Sequence, residues 1–170
     1  MLCASCCIAN AATSDSSADG RWHVGGEAGS VVIRDDAGTL VKAIPARSLA
    51  SQDESNVTVV RYLPHRRSFV LGFTTLREVW ELSIDPSAPD VHDGLVHDYR
   101  QGEAIGSPGF LGVRRTQLAA SVQALVTDSD NNAYVLARTA DAWWLVNLDI
   151  RRSVTRFTLA TNPDLRPQRD

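Results

Sequence analysis

This chain of 170 residues has almost no sulfur chemistry to hold it together. Its three cysteines, Cys3, Cys6 and Cys7, all precede Ile8, so nothing downstream supplies a thiol for a disulfide or a metal site. Cys3-Ala4-Ser5-Cys6 has the spacing of a covalent haem attachment, but Cys7 stands where the following His belongs. A covalent c-type haem is therefore excluded. Lysine is nearly missing as well: Lys42 is the only one, and the remaining positive charge is arginine. Arginine favours planar, bidentate anion contacts over point charges, and a GC-rich coding sequence produces the same bias. The net charge of -3 leaves no basic footprint for nucleic acid. No apolar stretch approaches the ~20 residues that a membrane-spanning helix needs.

What is present divides into three parts. Residues 1–20 form a signal-peptide-like segment and a linker. Met1 to Ala12 is small and apolar, and Ala9-Asn10-Ala11 resembles a signal-peptidase site, but a basic leading region is missing and the apolar run is short. A truncated signal peptide and an ordinary loose terminus both fit. Cleavage would leave a mature chain without cysteine, which suits an oxidising compartment, and a periplasmic location is the expectation. Thr13 to Gly20 is polar and turn-rich, a linker or the entry to a first strand. Residues 21–160 carry the folded part. Residues 161–170, with Pro163, Pro167 and several charges, are expected to be disordered.

The folded part is organised around Val57 to Asp85. Three apolar runs, Val57 to Tyr62, Ser68 to Phe73 and Val79 to Ile84, are separated by short polar turns. They are rich in Val, Ile, Phe, Tyr and Trp, which suit a pleated, half-buried surface, and they have strand rather than helix length. A three-stranded antiparallel meander is expected. The same order recurs: Arg21 to Val24, Ser68 to Leu71 and Ala133 to Leu136 each open a unit. Each is followed by a Val- or Trp-rich strand, at Val31 to Arg34, Val79 to Ile84 and Trp144 to Asp149. Four-stranded units at this spacing are the mark of propeller blades. The expected fold is all-β, a partial β-propeller of about three four-stranded antiparallel meander blades. Gln101 to Thr116, with its glycines and Pro108, reads as a loop, and His92 to Arg100 as the outer strand of the middle unit. Trp22, Phe69, Val70, Trp80, Tyr134, Val135 and Trp144 are expected in or near the inter-blade core.

Several segments resemble a known family. They are Leu40 to Ala46, Asn56 to Val60, Pro64 to Val70, Val79 to Leu82 and Val146 to Arg152. Together they are similar to the haem d1 domain of cytochrome cd1 nitrite reductase and of related dehydrogenases of haem d1 biosynthesis. The resemblance covers most of Arg21 to Leu159 and rests on the order of segments rather than on one motif. It implies a piece of an eight-bladed propeller that binds haem d1 in a central funnel, linked to periplasmic denitrification redox chemistry. Other propeller blades or a c-type cytochrome are the partners it implies. It departs from the family at Asn56, where an Arg is expected, and no His follows Leu118. A non-enzymatic propeller scaffold for protein–protein binding, or an inactive gene fragment, is the alternative.

Haem d1 bears carboxylates, which arginine forks suit. Arg100, Arg114 and Arg115 flank the Gly/Pro loop and are the candidates for contact with the cofactor. His65, in its Pro-initiated turn, and His97 follow, because His ligates iron or moves protons. His92-Asp93 and His97-Asp98 stand five apart, which on a strand sends them to opposite faces. Asp128-Ser129-Asp130-Asn131-Asn132 mimics the start of a calcium loop but lacks the later ligands, and a hairpin turn is expected there. No catalytic residues and no metal site can be assigned from spacing.

Overall fold

The computed structural model describes residues 13–49, 53–92, 106–128 and 131–158. The leader at Met1 to Ala12, the tail from residue 161, His97 and Arg100 lie outside the described residues. The described strands form three four-stranded antiparallel sheets. Blade 1 is β1 (Ser14–Ser16), β2 (His23–Glu27), β3 (Ser30–Arg34) and β4 (Leu40–Pro45). Blade 2 is β5 (Val57–Leu63), β6 (Ser68–Phe73), β7 (Glu78–Ser83) and β8 (Val113–Gln117). Blade 3 is β9 (Ala124–Asp128), β10 (Asn131–Arg138), β11 (Ala142–Asn147) and β12 (Arg152–Thr158). Within each blade the strands pair in chain order, so each is a simple meander.

Local chemistry sets the turns. Ala28 and Gly29 join β2 to β3 with φ of 44° and 75°, the two positive values of a tight hairpin turn whose twist matches the strands. Pro64 opens a 3-10 turn over Pro64–Arg66, and Arg67 ends it in the left-handed region, its N–H donated to the Pro64 carbonyl. Pro45 is the last residue of β4, as expected of a residue that cannot donate to a ladder.

The blades stack through their alternating faces. Strand β5 meets β1 on one side and β9 on the other, so the first strands of the blades neighbour each other. One core lies between blades 1 and 2. There Val24, Val31 and Ile33 meet Val60, Phe69, Leu71, Phe73, Trp80 and Leu82. A second lies between blades 2 and 3, with Val59, Val70 and Val79 against Leu125, Val135, Ala137 and Val146. Blade 2 is covered on both faces, and every residue of β6 is buried. The pairing of Ser68↔Ser83 through Leu71↔Trp80 makes the second and third apolar runs neighbours, as the sequence predicts.

Three expectations change. Thr13 to Gly20 is not only linker: Ser14–Ser16 is β1, held because Asp15 Oδ2 accepts the backbone N–H of Tyr62 at 2.8 Å. Each blade thus begins one strand before the apparent start of the repeat. The Gln101–Thr116 region is not loop throughout, since β8 pairs Val113↔Leu82 through Gln117↔Glu78 and is the fourth strand of blade 2. That place was assigned to His92–Arg100, of which 93–100 lie outside the described residues. Tyr134 packs on the far side of blade 3 instead of between blades. No helix among the described residues is long and apolar enough to cross a membrane.

Candidate functional site

Two strand ends and two turns of blade 2 converge on one cavity of about 330 Å³. The β5–β6 turn supplies His65 and Arg66, the end of β7 supplies Glu81 and Ser83, and the following turn supplies Asp85, Ala88 and Pro89. Gly112 and Arg114, at the start of β8, close the other side. Gly109 lets that side approach: a Cβ there would lie 2.2 Å from the Pro89 carbonyl oxygen. Any larger residue would push the β8 segment away from Ala88 and Pro89.

Charge in the cavity is mostly compensated. Glu81 is buried in the apolar run of β7, yet it is fully engaged. Arg66 Nε donates to Oε1 at 2.7 Å, Arg66 Nη2 to Oε2 at 3.2 Å, and the Ser68 hydroxyl to Oε1 at 3.0 Å. Arg66 Nη1 also reaches Asp149 Oδ1 of blade 3 at 2.7 Å, so one guanidinium ties two blades. Burial pulls the Arg66 pKa down, but hydrogen bonds and charge from Glu81 and then Asp149 outweigh it and raise it above the usual arginine value. Asp85 accepts from the Ser87 backbone N–H at 3.0 Å and from its hydroxyl at 2.9 Å, and pairs with Arg67 at 3.3 Å. These contacts, Ser87's first, hold its carboxyl below the usual range.

Two basic side chains remain. Arg114 stands directly opposite Glu81 across the β7–β8 ladder, but Glu81 is taken by Arg66. Arg114 is half-buried, and His65 is exposed beside it. Neither side chain makes a hydrogen bond or an ion pair among the described residues. An arginine with its fork free at the wall of a cavity can take a carboxylate or another flat oxyanion in two parallel hydrogen bonds.

Sequence reasoning paired Arg114 with Arg115, and the strand separates them. Successive residues of β8 point to opposite faces. Arg115 stands opposite Trp80 on the blade 1 side. Its guanidinium lies 4.1 Å from the centre of the Trp80 ring, and Nη1 donates to the Arg47 carbonyl at 2.7 Å and approaches Glu78 at 3.4 Å. Arg115 therefore packs between blades, away from the cavity that Arg114 and His65 line. The residues that sequence reasoning passed over are Arg66, Glu81 and Asp149. A signal existed for Glu81, since a carboxylate between Trp80 and Leu82 in an apolar strand needs a buried partner. Among the described residues no group of three or more His, Cys, Asp or Glu gathers as a metal site.

Four-stranded meanders stacked face to face, with neighbouring first strands, define a segment of a β-propeller. Solved structures agree with this class. The chain is similar to the dihydro-haem d1 dehydrogenase NirN, solved in complex with DHE, at 26% identity and a TM-score of 0.63. That match covers 86% of this chain and 28% of the other. The β-propeller domain of Cps50 (Swd1) from Myceliophteria thermophila matches at 15% identity and a TM-score of 0.55, over 88% of this chain and 39% of its own. A chain of the COPII outer coat vertex on membranes matches at 14% identity and a TM-score of 0.56, over 85% and 34%. The latter two likenesses are of fold alone. The chain thus spans well under half the length of these structures. No family model matches it, and neither does any curated protein.

Proposed function

We propose that this propeller segment belongs to a haem d1-binding protein of the nitrite reductase and dihydro-haem d1 dehydrogenase group, serving denitrification redox chemistry in the periplasm. Its own contribution is to hold a carboxylate arm of the macrocycle between Arg114 and His65. The observation that carries this reading is the free Arg114 fork on the cavity wall, in a chain 26% identical to a dihydro-haem d1 dehydrogenase over most of its length. The fit extends to one arm of the ring. A cavity of about 330 Å³ is too small to enclose a whole tetrapyrrole but large enough for a carboxylate side chain. Glu81 and Asp85 do not oppose such an arm strongly, because Arg66 and Arg67 already neutralise them. Haem d1 supplies the redox-active iron when bound; the residues of this chain bind and orient it.

One hydrogen bond between charged groups in a water-poor site contributes about 1.5–3 kcal/mol. The test is to add haem d1 to the purified chain and follow its visible spectrum. A stoichiometric shift is expected. An unchanged spectrum refutes the reading and leaves the scaffold alternative, which is favoured by one specific feature: the apolar face of blade 3 turned away from blade 2, where Tyr134, Trp143 and Phe157 stand half-buried among the described residues.

A further inference from the structure

Glu81 and Arg114 have the placement of partners, yet they do not pair. The ladders set Arg61, Val70, Glu81 and Arg114 in one row across β5, β6, β7 and β8. Members of such a row project to the same face of the sheet, and directly opposite residues have Cβ atoms about 4.5–5.5 Å apart. Val70 belongs to the core shared with blade 3, so the row faces that blade. Opposite charges placed directly across two strands attract and stabilise the pair. Here both oxygens of the carboxylate are already taken. Arg66 Nε donates to Oε1 and Nη2 to Oε2, and the Ser68 hydroxyl adds a second bond to Oε1.

Arg66 keeps that place because it is held from two sides. The 3-10 turn that starts at Pro64 and closes at Arg67 carries it out beyond Ser68, beside Glu81. From blade 3, Asp149 accepts its Nη1 at 2.7 Å. Asp149 is itself placed by the turn after β11, where Asn147 Oδ1 accepts the backbone N–H of Asp149 at 2.9 Å and of Ile150 at 3.2 Å. A guanidinium is a flat fork with donors along more than one edge, so one side chain serves both carboxylates. Without Arg66, Glu81 would be a buried carboxylate with a single hydroxyl donor among the described residues. Such a charge is costly until it finds a cation. The cation directly opposite is Arg114, whereas Arg61 lies two strands away beyond Val70.

We propose that Arg66 is a positioning residue for the anion site: by occupying both oxygens of Glu81 it stops Arg114 from closing on its cross-strand neighbour, and leaves that fork open to a ligand carboxylate. The ligand in this inference rests on the proposed role of Arg114 toward haem d1; the competition of two arginines for Glu81 exists in the ligand-free chain.

The test follows the Arg114 Nε–H in the ligand-free chain by proton–nitrogen NMR. In the parent it should exchange rapidly with water, as an unpaired fork does. In Arg66→Ala the exchange should slow about tenfold or more, the protection given by a charge-assisted hydrogen bond in a water-poor site. Adding Glu81→Gln replaces the carboxylate by a neutral amide and should return the exchange to the parent rate. Binding should follow the same order: the preference for haem d1 as free acid over its carboxylate ester is lost in Arg66→Ala and regained in the double variant. A side chain that only tied blades 2 and 3 together, or that touched the ligand itself, would not be rescued by Glu81→Gln. Unchanged Arg114 exchange in Arg66→Ala, or slowing that persists in the double variant, overturns the proposal. If Arg66→Ala fails to fold, Arg66→Lys decides. It keeps a charge between Glu81 and Asp149 but frees one oxygen of Glu81, so a smaller slowing is expected, and none at all overturns the proposal. Because the NMR signal needs no ligand, failure here is separable from failure to bind haem d1.

Discussion

Replacing Trp80 by Ala removes the largest fully buried side chain among the described residues. Its ring lies 4.5 Å from that of Phe73, its indole N–H donates to Glu78 at 2.6 Å, and Arg115 stacks on it at 4.1 Å. Deleting a buried aromatic to Ala costs about 3–5 kcal/mol through lost burial and the cavity left behind. Arg115 loses a cation–π contact of about 0.5–2 kcal/mol. Glu78, 2% exposed, loses one donor but keeps Gln117 at 2.8 Å. The effects overlap, so a total near the upper end, about 4–5 kcal/mol, is expected. That is a large share of the roughly 5–15 kcal/mol by which domains are stable. Trp80→Phe keeps most of the ring and loses chiefly the N–H, so about 1–2 kcal/mol is expected. Urea unfolding followed by far-ultraviolet circular dichroism measures both. A cost below about 1 kcal/mol for Trp80→Ala, or equal costs for the two variants, would refute a tight apolar contact between blades 1 and 2.

Glu81→Ala should destabilise the chain by about 1–3 kcal/mol, because Arg66 and Ser68 lose a buried acceptor while Asp149 still holds the guanidinium. Asp149→Ala, at the exposed end of the same network, should cost about 1 kcal/mol or less; unfolding midpoints that reverse this order would contradict the network. Gly72→Ala should cost about 1–3 kcal/mol, since its Cβ would lie 2.8 Å from Val122 and 2.9 Å from Val59; a neutral outcome would mean that blades 2 and 3 are loosely packed. Acid should weaken the fold through Asp85 and Asp141, depressed below 3.8 chiefly by Ser87 and by the Thr139 hydroxyl. Their stabilisation is present above the unfolded value and is lost as pH falls through the lower folded value. The urea midpoint should therefore drop below pH 3.8, less steeply in an Asp85→Asn/Asp141→Asn variant, and an identical drop in both proteins would exclude these two carboxyls.

The middle blade is the part of the fold most legible in the sequence. Val57 to Ser83 carries three runs whose apolar content exceeds what one face needs, which fits a sheet covered on both sides. Strand β8 was hidden because Val113-Arg114-Arg115-Thr116-Gln117 holds one apolar residue and follows several glycines. Strand β1 was hidden because Ser14-Asp15-Ser16 has none, and its place depends on a hydrogen bond to Tyr62 far along the chain. The same misreading blurred the site. Once Val113–Gln117 is a strand, alternation alone separates Arg114 from Arg115. The Arg66 network joins residues 15 and 83 positions apart, and no local pattern announces such contacts.

The proposal that Arg114 receives a haem d1 carboxylate is tested most directly by measuring the affinity of the chain for haem d1 and for its carboxylate esters, in the parent and in Arg114→Ala. The parent should prefer the free acid by about tenfold or more, the loss of one charge-assisted contact. Arg114→Ala should lose that preference while keeping its circular dichroism, because the Arg114 side chain makes no hydrogen bond or ion pair among the described residues and its backbone place in the β7–β8 ladder is unchanged. Equal affinities of the parent for acid and ester, or an undiminished preference in the variant, would contradict the account.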